Sequence, residues 1–214
     1  MMATASGRVR LDLGKVIMVP AAAVMLLVDL TVLTRNSAAG ILARLGTLLV
    51  CAFFLLIIWC YLRRGPAIAT CSSIIARVVA VIATLTPFAF PLLGAAPRGA
   101  GRLYAADGLL VAGTAWALWS LRCLGRNLSV FAQARELVDR GPYRWIRHPL
   151  YTGEIVSTLG LAVAAGTAVA FAAWLAFCAL QAYRVLREEQ VLLRALPRYR
   201  GYRSRTAALF PGLF

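Results

Sequence analysis

Apolar residues fall along the chain in long runs separated by short polar or proline-bearing stretches, at about Val16–Thr34, Ile41–Leu62, Ile74–Gly94, Leu103–Leu121 and Ile155–Tyr183. About twenty apolar residues cross the roughly 30 Å of a bilayer's hydrocarbon core as a helix, so each run predicts a membrane segment. The last run is interrupted by Ala164-Ala165-Gly166-Thr167, whose small residues and glycine predict a tight turn and therefore a helical hairpin. Its first arm, about Glu154–Ala164, is too short to span alone and is expected to lie beside its longer partner, with the turn shielded by protein or at the interface. The pattern predicts an all-α integral membrane protein with five hydrophobic blocks, the last a helical hairpin. The first block does not read as a cleavable signal, being too long and without a persuasive small-residue cleavage site.

Composition agrees with that reading. Of 214 residues, 61% are hydrophobic and only 14% charged, too little polar surface for an ordinary soluble domain. The 23 basic residues outnumber 8 acidic ones, and their placement sets an orientation. With the N-terminus inside, nineteen fall on inside segments and only Arg35, Arg44, Arg98 and Arg102 outside. This predicts a multi-pass protein of a cell inner membrane whose N-terminus, whose loop after the fourth block and whose C-terminal tail are cytoplasmic. The arginines flank membrane ends, where they meet lipid headgroups, and no nucleic-acid motif accompanies them, so membrane lipids rather than nucleic acid are the expected partners. Cys51, Cys60, Cys71, Cys123 and Cys178 form no CxxC pair and none neighbours the lone histidine, so neither metal nor disulfide is expected. Gly99-Ala100-Gly101 follows no strand and makes no dinucleotide fingerprint. Asp29 and Asp107 lie inside membrane blocks, a hint of function, although Asp107 sits near a helix end where it can act as a cap.

The densest chemistry is the stretch Gly141–Glu154, GPYRWIRHPLYTGE, which holds two arginines, two tyrosines, a tryptophan and His148, the chain's one histidine. Gly141-Pro142 and His148-Pro149 read as breakers, giving an ordered loop under the membrane with Tyr151-Thr152-Gly153 leading into the hairpin. A plain interfacial belt explains the aromatic residues and arginines equally well. At the far end of the hairpin stand Arg184 and Glu188, four residues apart on one helix face, with Glu189 adjacent. A simple i, i+4 ion pair with a solvated neighbour would account for these three. Yet the island and this pair flank the same hairpin, and closing it brings them together.

GPYRWIRHPLYTG, followed by REEQVLL and then PRYRGYRSRTAALFPG, resembles the C-terminal half of the isoprenylcysteine carboxyl methyltransferase family and its phospholipid methyltransferase relatives. The resemblance covers about Asn127 to Phe214 and divides the chain into N-terminal transmembrane helices, about four, over 1–125 and a methyltransferase-like region over 126–214 with its loop, hairpin and tail. It implies an S-adenosylmethionine-dependent methyltransferase. Carried over by position, the cofactor would be held by Tyr143, His148, Pro149, Leu150 and Tyr151, by Arg135, Glu136, Leu137 and Val138, by Glu188, and by Gln133, with Arg184 facing the substrate. Such a cofactor carries a sulfonium cation, an amino acid head and a flat adenine, so a carboxylate, polar donors and aromatic walls suit it. Methyl transfer is an in-line displacement driven by positioning in a dry site, so no general base is assigned. The implied acceptor is lipophilic, reaching the site sideways from the bilayer: an isoprenylcysteine-like carboxylate, a thiol, a quinone-like phenol, a fatty acid or a phospholipid amine. Two alternatives stand beside this reading. One is a membrane sterol or steroid reductase using a nicotinamide cofactor, whose HPxYxGE-like stretch Glu154 would complete. The other is a non-catalytic membrane scaffold.

Overall fold

The structure, a computed structural model, describes residues 12–35, 40–94 and 99–210. Arg8, Arg10 and Arg98 of the charge distribution and the late proline of the tail, Pro211, lie outside the described residues. Helix α1 spans Leu13–Arg35, α2 Ile41–Arg63, α3 Ile74–Leu85, α4 Ala100–Leu124, α5 Pro149–Ala165, α6 Ala168–Ala195 and α7 Tyr199–Arg203. Helix α3 continues as a 3-10 segment over Thr86–Leu93, where Pro87 and Pro91 cannot supply the backbone donors an α-helix needs. Among the described residues, five helical segments are long and apolar enough to cross a membrane: α1, α2, the α3 segment through Leu93, α4 extended to Asn127, and α6. The protein is an all-α integral membrane protein, and large side chains such as Leu27, Leu48, Ile75, Leu92 and Leu175 face outward as its lipid-contacting surface.

The hairpin forms where the small residues fall. Gly166 closes α5 in the left-handed region, φ 67°, with its N–H donating to the Ala162 carbonyl at 2.9 Å. Thr167 then caps α6, accepting from the Ala170 N–H at 3.1 Å while its hydroxyl donates to the Leu93 carbonyl at 2.9 Å. The first arm begins earlier than expected, at Pro149 rather than Glu154. Proline is at home in a first helical turn because no intrahelical bond is asked of its nitrogen there, so His148-Pro149 starts the helix instead of breaking it. Seventeen residues then make an arm of about 25 Å. At its other end α6 runs past Tyr183 to Ala195, carrying Arg184, Glu188 and Glu189 on continuous helix.

Helices α4 and α5 pack backbone against backbone, through glycines. A Cβ on Gly113 would lie 2.7 Å from the Gly153 carbonyl oxygen, one on Gly153 2.8 Å from the Ala117 nitrogen, and one on Gly160 2.6 Å from the Ala106 carbonyl oxygen. Small residues at such a seam let backbones gain dispersion contact that lipid cannot offer. A second core joins α1, α2 and α4 around Cys60, Tyr61, Ala117 and Leu121, with Leu150 of α5 reaching into it. All five cysteines are free, Cys51 and Cys60 within the packed interior. Asp29 and Asp107 are half-buried on α1 and α4. The start of α1 is pinned by Asp12, which accepts from the Lys15 N–H at 3.3 Å and is bonded to Arg64.

Candidate active site

The segment between α4 and α5 carries little regular structure, so its backbone groups must be satisfied by other parts of the chain. A two-residue antiparallel ladder pairs β1, Ala69–Thr70, with β2, Gln133–Ala134. Around it the Ile68 N–H donates to the Ala134 carbonyl at 2.8 Å, and the Cys71 N–H to the Ala132 carbonyl at 2.9 Å. The Val130 N–H donates to the buried Tyr61 hydroxyl at 2.8 Å. The far end of the loop is held by the tail: the N–H groups of Arg147 and His148 donate to the carbonyls of Ala207 and Ala208 at 2.8 and 3.0 Å, and the Tyr202 hydroxyl donates to the Tyr143 carbonyl at 2.6 Å.

The island separates into an outer and an inner set. Trp145 is 46% exposed, with the Arg144 guanidinium 4.3 Å from its ring centre, as an interfacial belt requires. Tyr143, Arg147, His148 and Tyr151 are buried. Arg147 donates from Nε to Glu189 Oε1 at 2.6 Å, and one terminal nitrogen, Nη1, donates to the carbonyls of both Arg203, at 3.0 Å, and Thr206. Glu189 also takes Arg203 Nε at 3.1 Å and lies 3.5 Å from His148 Nε2. The expectation of a solvated neighbour at Glu189 is therefore corrected: it is 6% exposed and clamps loop, helix and tail together. Because one helical residue turns the side chain by about 100°, Glu189 faces the loop where Glu188 faces Tyr151. A second arginine beside the histidine in RHP was the signal available in the sequence.

On the adjoining face Tyr151 is the centre. Its ring stacks on His148, centroids 5.7 Å apart and planes within 7°. The Arg184 guanidinium sits 4.7 Å from the Tyr151 ring centre, and the Tyr151 hydroxyl donates to Glu188 Oε2 at 2.9 Å. The i, i+4 pair expected from spacing is thus not a direct one, since both Arg184 and Glu188 engage Tyr151 instead. Arg184, 8% exposed, donates to Gln181 Oε1 at 2.9 Å and to the Val130 carbonyl at 3.3 Å, while its Nε has no acceptor. Gln181, fully buried, in turn donates from Nε2 to Glu154 Oε2 at 2.5 Å. The run Glu154–Gln181–Arg184 lies between α5 and α6, and sequence reasoning passed over Gln181 because a lone glutamine on an apolar helix carries no motif. A narrow cleft of about 10 Å³ lies over this network, bordered by Ala76 and Ala80 of α3, Val130 and Ala132 of the loop, and Tyr151, Tyr183, Arg184, Arg187 and Glu188.

The remaining expected residues are spread more widely. Pro149 is fully buried at the start of α5 and Leu150 packs into the α2–α4 core. Tyr143 keeps a buried hydroxyl without a partner, and burial, reinforced by the Glu188 charge, pushes its phenol well above the usual tyrosine range. Burial likewise raises Tyr199 and Tyr202 of the tail, so all three stay neutral. Gln133 accepts from the Ser129 hydroxyl at 2.8 Å and from Arg135 at 2.9 Å. Arg135 and Glu136 border a different cleft, beside Arg63, Gly65, Pro66 and Arg126, and Leu137 and Val138 are half-buried between.

Comparison with known proteins adds a family. Residues 102–198 match the phospholipid methyltransferase family. Over 82 residues the chain is 37% identical to the nickel-cobalt-cadmium resistance protein NccN of Alcaligenes xylosoxydans xylosoxydans, a match covering 38% of this chain and 38% of that protein. The match therefore spans well under half the length of that curated relative. Residues 102–198, the segment similar to that family, contain the island, the hairpin and both glutamates.

Proposed function

We propose that the protein is an S-adenosylmethionine-dependent membrane methyltransferase acting on a lipophilic acceptor. The observation that carries the reading is the network around Tyr151, in which His148, Arg184 and Glu188 converge on one ring beneath a cleft, inside a segment of that family. The donor set suits the cofactor. Glu188, whose side chain is 29% exposed, presents a carboxylate to an amino head, and the Tyr183 hydroxyl and Arg184 Nε are buried donors without acceptors. Tyr143, His148, Tyr151 and Glu188 would hold the cofactor, with Gln133, Leu137 and Val138 as the loop's contribution. When bound, that group supplies an electrophilic methyl on a sulfonium.

What the chain's own residues would contribute is orientation and dryness. Gln181, held by Glu154, fixes the plane of the Arg184 guanidinium, and the unpartnered Nε would donate to an anionic acceptor oxygen or sulfur. A preorganised, charge-assisted donor of this kind aligns the nucleophile without reorganisation at the moment of reaction. Tyr151 covers Arg184 and excludes water from its inner side. Small Ala76 and Ala80 on α3 border the cleft, on the side from which an apolar acceptor such as an isoprenylcysteine-like carboxylate, a lipid thiol or another lipid would approach. Calorimetry on the purified protein in detergent tests the reading. Binding of S-adenosylmethionine or its demethylated product is expected, and binding of NADPH in their place would overturn it in favour of a reductase.

A further inference from the structure

Away from the Tyr151 network, a cleft of about 260 Å³ opens where α2 and α4 end. Its polar border is Arg63, Arg126, Asn127, Arg135 and Glu136, and its backbone edge is Gly65-Pro66. None of these residues borders the cleft over Tyr151, Arg184 and Glu188. Arg135 is the unusual member. It is 9% exposed, its Nε donates to the Gly65 carbonyl at 3.2 Å, and one terminal nitrogen donates to Gln133 at 2.9 Å. The other terminal nitrogen is buried with no acceptor at all. A buried guanidinium nitrogen left without an acceptor forfeits its hydration for nothing, which is costly for a charged donor. Two bonds already fix the guanidinium plane, so the unpartnered nitrogen is held ready rather than free to turn back to water.

The charges around it do not supply the missing acceptor. Arg64, next in sequence to Arg63, is engaged by Asp12 and by the Leu128 carbonyl. Glu136 is exposed on the cleft's rim and makes no ion pair with the three arginines among the described residues. Three cations against one carboxylate leave the cleft strongly positive. Burial, followed by the Arg64 charge, lowers the Arg135 guanidinium below its usual range, as expected where cations crowd. Depth in the membrane narrows the chemistry. Arg63 is the last residue of α2, its guanidinium 5.9 Å from the ring centre of the half-exposed Trp59, and Arg126 follows the end of α4. Tryptophan and arginine at helix ends mark headgroup level. The acceptor oxygens abundant at that depth are those of phosphate, whose geometry the guanidinium fork matches.

We propose that the Arg63–Arg126–Arg135 cleft is a phosphate-binding site at headgroup depth, separate from the methyl-transfer site. The phosphate can come from an anionic phospholipid or from a free phosphate compound, and the test separates the two. Purified full-length protein in neutral detergent is titrated with dioleoyl phosphatidylglycerol, dioleoyl phosphatidylcholine and inorganic phosphate, following thermal stabilisation and, for the lipids, native mass spectrometry. Saturable binding of phosphatidylglycerol, at least about tenfold tighter than phosphatidylcholine, is expected, and R63Q/R126Q should weaken it tenfold or more through loss of two charge-assisted contacts. Both substitutions lie on exposed side chains, so the fold survives them. A control, R194Q/R198Q, removes two arginines outside the cleft and should leave the affinity unchanged. Saturation by inorganic phosphate alone, lost in R63Q/R126Q, would support the site and assign it to a free phosphate ligand. Equal loss in the control, an unaltered preference in R63Q/R126Q, or no saturable binding of either probe would overturn the proposal. Displacement of the lipid by S-adenosylmethionine would overturn it too, by making this cleft part of the cofactor site, whereas failure of S-adenosylmethionine to bind leaves it standing.

Discussion

Glu188 and Glu189 are adjacent in sequence and opposite in consequence, and replacing each by glutamine separates them. The Glu189 and Arg147 side chains are only 8% and 5% exposed, so their 2.6 Å bond is a buried ion pair. Removing one partner of such a pair typically costs about 3–5 kcal/mol, because the surviving charge stays buried. Two features reduce that figure here. Arg147 keeps the carbonyls of Arg203 and Thr206, and glutamine retains one oxygen that can accept from Arg147. The Arg203 contact adds little, since that side chain is 51% exposed and screened, which puts it in the range of about 0.2–1 kcal/mol. Glu189→Gln is therefore expected to cost ~2–3 kcal/mol, and Glu189→Ala the full ~3–5 kcal/mol. Glu188 makes one hydrogen bond, from the Tyr151 hydroxyl, from a partly exposed position. Glutamine can still accept it, so Glu188→Gln should cost no more than ~1 kcal/mol in stability. It should nevertheless weaken S-adenosylmethionine binding, because an amide cannot pair with the amino head. The assay is denaturant unfolding of the two purified variants in detergent beside calorimetry with the cofactor. Equal losses of stability with unchanged cofactor affinity in both would refute the division of labour and return the pair to a structural role.

Four further outcomes follow from the same geometry. His148→Ala should weaken cofactor binding in a protein that remains inserted and folded, and Tyr151→Phe less so, since the ring that stacks on His148 and Arg184 is kept; calorimetry reads both, and parental affinity in H148A ends that assignment. Arg184→Ala should lower turnover of an acidic or thiol acceptor by ~2–4 kcal/mol of transition-state stabilisation with cofactor affinity nearly intact, and Gln181→Leu should follow it in part, because Gln181 orients Arg184; normal turnover in both variants would remove Arg184 from the chemistry. Gly113→Ala should lose ~1–3 kcal/mol or more, read as a fall in detergent melting temperature, since its Cβ would meet backbone of Gly153 and Ser157 that cannot move aside. Burial raises the Asp12 carboxyl, but its Arg64 bonds and charge outweigh that and hold it below 3.8; a depressed carboxylate adds stability above its unfolded value and loses it as pH falls through the folded one, so the melting temperature should drop on acidification below 3.8, and D12N should flatten that part of the curve.

What could be read in the sequence is what depends on composition over a window. The apolar runs became helices α1 to α4 because a segment in lipid has no other way to satisfy its backbone, and Gly166 became the turn because a left-handed residue was needed there. The spacing of Arg184 and Glu188 placed both on one face, which the helix bears out. Spacing within one helix is silent about what another helix inserts, and Tyr151 takes up both side chains. The same blindness hid Glu189, whose partners come from residue 147 in the loop and residue 203 in the tail. The start of α5 was misplaced for a local reason, the double meaning of proline as breaker and as first-turn residue.

These omissions share a physical cause that also explains why a greasy chain keeps one polar island. The buried charges near the hairpin are held chiefly by groups distant in sequence: Arg147 by Glu189 and the tail carbonyls, Arg184 by the Val130 carbonyl beside its near neighbour Gln181, Glu154 by Gln181. In a low-dielectric setting a half-satisfied network is worse than an apolar one, so such a set persists only when all its members are present together. The tail is thus part of the site: Ala207 and Ala208 hold the backbone of Arg147 and His148, and α7 brings Tyr202 to Tyr143. Removing the chain beyond Arg198 should consequently release the loop and abolish ligand binding while leaving the spanning helices, whose packing runs through α1, α2, α4 and α5, inserted. Limited proteolysis of the truncated protein is the measurement. New cleavage confined to residues 128–148 is expected, and cleavage spread into the α4–α5 seam would show instead that the tail supports the bundle as a whole.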